Sequence, residues 1–155
     1  MIFKGLETVR TDWTPLAQEF QQTLYKMIFH DQNPDEYIRD YTQRTSLGEF
    51  DDLLIYRKRL RRNLDEYQKN IPPQVKAARM ADEINRRLGR PLQYQNKGII
   101  EYVITLVGAE ASEYRQNPID YQHYIDKQLK PVADAILPFI GKQFDDITAA
   151  QLGLF

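Results

Sequence analysis

Proline placement constrains this chain most, because proline breaks a helix interior yet suits the first helical position, where its fixed φ is already correct. Thr14-Pro15 supplies an N-cap and a first helical residue, and Leu16, Phe20, Leu24, Met27 and Ile28 recur on one face. The spacing predicts an amphipathic helix over about 14–30. Asn33 and Pro34 repeat the start signal with Glu36 in the place of a capping-box acid, and Tyr37, Ile38 and Tyr41 supply the apolar face of a second helix ending near Gly48. Asn117-Pro118 predicts a third capped helix through about Leu129. Pro131 opens a further one, which Pro138 kinks or ends before Gly141.

The middle of the chain differs. "LLIYRKRL" alternates from Ile55 with β-branched and aromatic character, which predicts a short strand that "IPPQ" breaks. A helix is expected from Gln74 to Leu88, stopped by Gly89 and Pro91, with Lys76, Arg79, Glu83, Arg86 and Arg87 on its polar side. "GIIEYVITLVG" is the strongest strand signal. The expected class is an α-rich α+β fold, several amphipathic helices with a small antiparallel β component. No linker, repeat or low-complexity stretch divides it, so residues 1–150 are expected to form one domain.

At 155 residues the chain is long enough to bury a self-sufficient core. It has no cysteine, which removes disulfides and thiolate chemistry. It also lacks the run of ~18 apolar residues that crosses a bilayer. A soluble, cytosolic protein with no membrane partner is expected. The net charge of −1 hides segregation: residues 51–100 hold 12 of the 21 basic side chains and 6 of the 22 acidic ones, a surplus of +6, leaving −7 on the other 105 residues. A locally basic surface attracts polyanions although the whole chain is near neutral.

Catalytic candidates are few. His30 and His123 fall on different predicted helices without metal-ligand spacing, so surface or structural roles are the better reading. The adjacent acids Asp51-Asp52, Asp65-Glu66, Asp82-Glu83 and Asp145-Asp146 point to different sides of their elements, and solvated faces or helix starts explain most of them. No glycine loop of the phosphate-cradling kind occurs. "YRKRLRR" gathers Arg57, Lys58, Arg59, Arg61 and Arg62 beside Tyr56. An exposed basic face is one reading of it. Phosphate binding, with the basic helix nearby, is the other, and without a base-reading signature it would consist of backbone contacts. The chain closes on "QLGLF", where Gln151 offers an amide and Leu152, Leu154 and Phe155 offer apolar anchors. Those residues suit either a packed end or a tail held by a partner.

These segments together resemble the C-terminal part of family B DNA polymerases, bacterial ones in particular. "FKGLETVRTDW" at 3–13 is similar to the family's K-G-x-E-x-x-R-R-D-W segment at the palm–thumb boundary. "YRKRLRR" with "YQKNIPPQVKAARMADE" is similar to the thumb's basic strand and helix, and "PIDYQHYIDKQLKPVADAILPFIG" to its I-D-Y-x-x-Y-x-x-x-Q-L-x-P closing segment. "QLGLF" resembles the Q-L-x-L-F peptide with which bacterial polymerases hold the sliding clamp. The resemblance implies a thumb-type DNA-binding domain over 1–150, with 1–13 as the boundary segment and 151–155 as a clamp-binding tail. It implies double-stranded primer–template DNA, the sliding clamp, and the polymerase's palm, fingers and exonuclease parts as partners. Lys4, Arg10, Tyr56, Arg57, Lys58, Arg59, Arg61, Arg62, Lys76 and Arg79 are the implied DNA contacts. Thr11 stands where the family has its second arginine, which removes one expected contact.

The family's D-x-x-S-L-Y-P, Y-G-D-T-D and K-x-x-x-N-S-x-Y-G motifs do not occur. Two-metal phosphoryl transfer needs convergent carboxylates holding ions ~4 Å apart. No cofactor is therefore expected in this chain, Mg²⁺ belonging to a parent polymerase, and the isolated chain is expected to be inactive. It suits both a piece of a longer polymerase and a separately encoded remnant. The rival readings are a stand-alone sliding-clamp-binding adaptor and, with least support, a small hydrolase.

Overall fold

A computed structural model describes residues 13–151, and the fold is α-rich α+β. No linker-like composition marks a boundary, yet the chain divides into two compact units, one built from residues up to Leu54 and from Tyr121 onward, the other from Ile55–Asp120. The second is inserted into the first. It begins and ends on its own sheet, since Tyr56 pairs with Tyr102 and Ile119 bridges to Thr105, so both ends of the insertion meet the same stretch of strand. Ordered sheet residues take the place of a Pro/Gly/Ser linker at these junctions.

In the first unit, α1 (Pro15–Phe29) and α2 (Asp35–Ser46) follow the prolines as expected. The apolar stripe of α1 becomes core, with Leu16, Phe20 and Leu24 fully buried. Thr14 Oγ1 caps Ala17 N–H, and both the Thr14 N–H and its hydroxyl donate to Gln128 Oε1 at 2.8 Å. Gln128 reaches that position from the helical run α4 (Tyr121–Tyr124), a π-helical turn (Ile125–Leu129) and α5 (Lys130–Ile136). The sequence predicts two helices split at Pro131; the structure runs through it. Proline has no N–H to donate and its ring crowds the carbonyl four residues back, and the wider π turn lies where that carbonyl, Lys127, falls. A 3₁₀ turn (Leu137–Ile140) at Pro138 and Gly141 at φ 70° end the run.

The closing helix α6 (Phe144–Gln151) has no counterpart among the elements expected from the sequence. Its start is capped from a distance, Phe144 N–H donating to Asp134 Oδ1 at 3.0 Å, and it buries Phe144 and Ile147. Gly48 ends α2 at φ +82°, and a Cβ there would lie 2.9 Å from Tyr121 Oη. That hydroxyl donates to the Asp51 carboxylate.

In the second unit an antiparallel sheet, β1 (Tyr56–Leu60), β2 (Gly98–Thr105) and β3 (Gly108–Ala111), is ordered β1-β2-β3. The predicted strand 98–108 is thus a strand plus its turn, Leu106 and Val107 forming the tip of a hairpin. Helix α3 (Pro73–Arg87) covers one face, setting Val75, Ala77, Ala78 and Ala81 against the side that carries Tyr56, Leu60, Ile100, Tyr102 and Ala111. Small residues on α3 let the helix approach the stacked Tyr56 and Tyr102 rings, 5.1 Å apart. The segment 115–119 covers part of the other face. Asn117 does not cap a helix: its amide donates to Glu110, and Asp120 N–H pairs with Ile104 O, so α4 starts at Tyr121.

Candidate nucleic-acid interface

Strand β1 is an edge strand, and the two-residue period of a strand sorts its side chains between two faces. Register places Arg57 opposite Glu101 and Arg59 opposite Ile99 on the face turned away from α3, and both arginines are exposed. Arg57 lies 3.9 Å from the Glu101 carboxylate, with both side chains more than half exposed. Such an exposed pair is worth at most about 1 kcal/mol, so Arg57 exchanges that partner cheaply for a phosphate. Arg59 faces Ile99, which offers no carboxylate. Arg61 and Arg62 follow, both exposed, with the Arg62 guanidinium 5.4 Å from the centre of the Tyr67 ring. Arg57 and Arg59 thus form a cationic pair on one face of β1, and Arg61 and Arg62 continue the positive charge beyond the strand's end at Leu60. Glu101 and Glu113, which line a cavity beside Arg57, bound it on the β2–β3 side.

Other residues named from the sequence lie elsewhere in this unit. Tyr56 is only 8% exposed and stacks on Tyr102, so it supports the strand from beneath. Lys58 is half-buried on the same side as Tyr56. Lys76 is exposed on the face of α3 opposite its buried residues, the far side of the helix–sheet pair from Arg57 and Arg59. Arg79 donates through Nη2 to the carbonyls of Leu64 at 2.7 Å and Tyr67 at 2.6 Å, tying the segment after β1 to α3. Closeness in sequence puts these residues together; the strand period and the helix face separate them. Lys4, Arg10, Leu152, Leu154 and Phe155 lie outside the described residues, and Gln151 closes α6.

Two buried carboxylates, overlooked in the sequence, hold the loops around this surface. Asp82, read as one of a pair of solvated acids, is 1% exposed. It accepts from Gln93 N at 2.8 Å, Tyr94 N and Gln95 Nε2 at 2.9 Å, and Asn85 Nδ2 at 3.3 Å. Burial by itself raises its pKa, but the four donors outweigh burial and hold the carboxyl below the usual range. Glu110, 4% exposed, balances the same opposing effects: Gln116 N, Asn117 Nδ2 and Thr105 Oγ1 donate to it and its pKa is lowered. It lies opposite Val103 in β3, a strand of otherwise small residues whose place in the sheet the sequence does not signal. Glu83, by contrast, is exposed and pairs with Arg86 and Arg87.

No group of three or more His, Asp or Glu side chains among the described residues is arranged to hold a metal ion. No described helix is long and apolar enough to cross a membrane.

The family model for DNA polymerase family B matches residues 1–140, and the chain belongs to that family. It is 58% identical over 155 residues to DNA polymerase II of Escherichia coli (strain K12), covering 100% of this chain and 20% of that protein. It is 26% identical over 171 residues to a DNA polymerase of Pyrococcus horikoshii, covering 99% of this chain and 13% of that protein. A DNA polymerase of Pyrococcus glycovorans is 28% identical over 161 residues, covering 95% of this chain and 20% of that protein. The chain therefore spans a fifth or less of the length of these relatives.

Proposed function

We propose that this chain is the duplex-holding thumb of a family B DNA polymerase, non-catalytic by itself, that grips primer–template DNA through its phosphates during replication or repair. The cluster Arg57, Arg59, Arg61 and Arg62 carries the reading, because exposed guanidinium groups on an edge strand and on the residues just after it suit backbone contacts that ignore base sequence. Lys4 and Arg10 would add contacts near the primer end. The tail Gln151, Leu152, Leu154 and Phe155 would bind the bacterial sliding clamp, raising the local concentration of polymerase at the primer end. Palm, fingers and exonuclease parts would supply the carboxylates and Mg²⁺ for phosphoryl transfer. The work would be done in the cytoplasm, at the nucleoid.

The test is duplex binding by fluorescence anisotropy across a salt series. Each phosphate contact contributes about −0.9 to the slope of log K against log salt, so changing the four arginines to glutamine should flatten that slope by up to ~3.6. An unchanged slope refutes the DNA half. Clamp binding that persists while duplex binding is absent supports the adaptor reading, and clamp binding unaffected by deletion of 151–155 removes the tail's role.

A further inference from the structure

Resting on the reading of this chain as a DNA-holding unit, we infer that the cavity beside Arg57 is a pocket for the base of one unpaired nucleotide, preferring a base with an exocyclic amino group such as cytosine. The cavity measures about 290 Å³ and lies on the sheet face that carries Arg57 and Ile99, turned away from α3. Ile99 supplies an apolar wall. Around it stand four polar groups that bond to nothing among the described residues: the Gln93 side-chain amide, the Tyr94 and Ser112 hydroxyls, and the Glu113 carboxylate, which also has no ion pair. Gln93 and Tyr94 donate only through their backbone N–H groups, to Asp82. Tyr94 is the telling member, because it is 8% exposed and buried hydroxyls are nearly always hydrogen-bonded. Burial, and after it the charge of Glu113, push its pKa up, so the hydroxyl keeps its proton and is available as a donor.

The chemistry of the wall selects the ligand. An apolar surface with a few convergent, unsatisfied polar groups is the make-up of a small-molecule site, and this volume suits one flat heterocycle. A metal ion fits less well: Glu101 faces Arg57 at 3.9 Å, which leaves Glu113 as the unpaired carboxylate, and no three acidic or histidine side chains converge among the described residues. The phosphate attached to the base finds its partner at the rim, where Arg57 lines the cavity and Arg59 lies on the same face. Glu113 then accepts from an amino group on the base, as carboxylates do from the N4 amino group of cytosine. Uracil and thymine present a carbonyl oxygen there, which a carboxylate repels. Ring faces and pairing edge are both open only in an unpaired base.

The experiment compares deoxycytidine and deoxyuridine octamers, which share one backbone and differ at the pairing edge of the base. Binding of each to the 155-residue chain is followed by fluorescence anisotropy at neutral pH and low salt. The deoxycytidine octamer should bind about fivefold tighter. Glu113→Gln should bring that ratio to about one, since an amide turns to suit either base, and any general change in attraction for phosphate cancels in the ratio. Tyr94→Phe should weaken both octamers by about threefold. A ratio near one in the parent overturns the inference, as does a ratio that survives Glu113→Gln or a Tyr94→Phe chain that binds both octamers as tightly as the parent. Duplex affinity on the same preparation separates the two readings: duplex binding with the expected salt slope beside a ratio near one removes the pocket alone, whereas absent duplex binding removes the thumb reading whatever the ratio.

Discussion

Asparagine at position 82 would keep the shape of the side chain and remove its charge, and the consequence follows from the four hydrogen bonds it accepts. Oδ1 serves Gln93 N and Asn85 Nδ2, while Oδ2 serves Tyr94 N and Gln95 Nε2. Whichever way the new amide turns, its NH₂ meets two donors, so two hydrogen bonds are lost and the other two lose their charge. Bonds to a charged acceptor contribute about 1.5–3 kcal/mol each, and partial opening of the 93–95 loop to water offsets some of the loss, so Asp82→Asn should destabilise by about 3 kcal/mol. For a chain of this length that lowers Tm by about 6–12 °C.

The pH dependence provides the sharper check. The folded carboxyl titrates below its unfolded value of about 4, so its stabilisation is fully present above that pH and is lost as pH falls through the folded pKa. Asparagine has no proton to gain. Denaturant unfolding followed by circular dichroism should therefore show a wide gap between the parent and Asp82→Asn at pH 7 that narrows on acidification. Glu110 remains in both proteins and supplies a common acid-side slope of the same sign. A variant within ~0.5 kcal/mol of the parent at pH 7, or a gap that does not narrow in acid, would refute the assignment of Asp82 as an ionised loop clamp.

Arg79→Met should lower the unfolding free energy by about 2 kcal/mol, because two loop carbonyls lose a charged donor, while leaving the salt slope of duplex binding unchanged; Arg59→Met should do the reverse, and calorimetry beside anisotropy distinguishes them. Gly48→Ala should cost about 2 kcal/mol, from the left-handed backbone at φ +82° and the displaced Tyr121 hydroxyl, and a thermal melt matching the parent would contradict it. Thr14→Val removes the cap that accepts from Ala17 N–H and the hydroxyl bond to Gln128, leaving only the backbone bond to Gln128, for a loss of about 2 kcal/mol seen in urea unfolding.

What local chemistry decides was legible in the sequence. Proline at the first helical turn, Thr14 as a cap and a 3.6-residue apolar stripe located α1 to within a residue or so, and β-branched and aromatic runs located β1 and β2. The placing of Arg57 and Arg59 on one face of β1 was also legible, because a strand's period is a local property. Strand β3 was not: "GAEA" has little β character and is held in the sheet by β2 and by the bonds that Glu110 accepts from the 116–117 segment. Helix α6 was missed for the same kind of reason, since its cap, Asp134, lies ten residues away and its anchors are two side chains that gain only by burial.

By itself, then, the amino-acid order determined the helix starts, the two stronger strands, the location of the positive charge and the family resemblance. Only tertiary structure decided which charges are available. It buried Asp82, spent Arg79 on two carbonyls, set Tyr56 under the sheet and turned Lys76 to the opposite side from Arg59. The reason is that a side chain's ionisation, partners and exposure depend on groups brought near it across dozens of residues, whereas its tendency to start a helix or join a strand depends on its immediate neighbours.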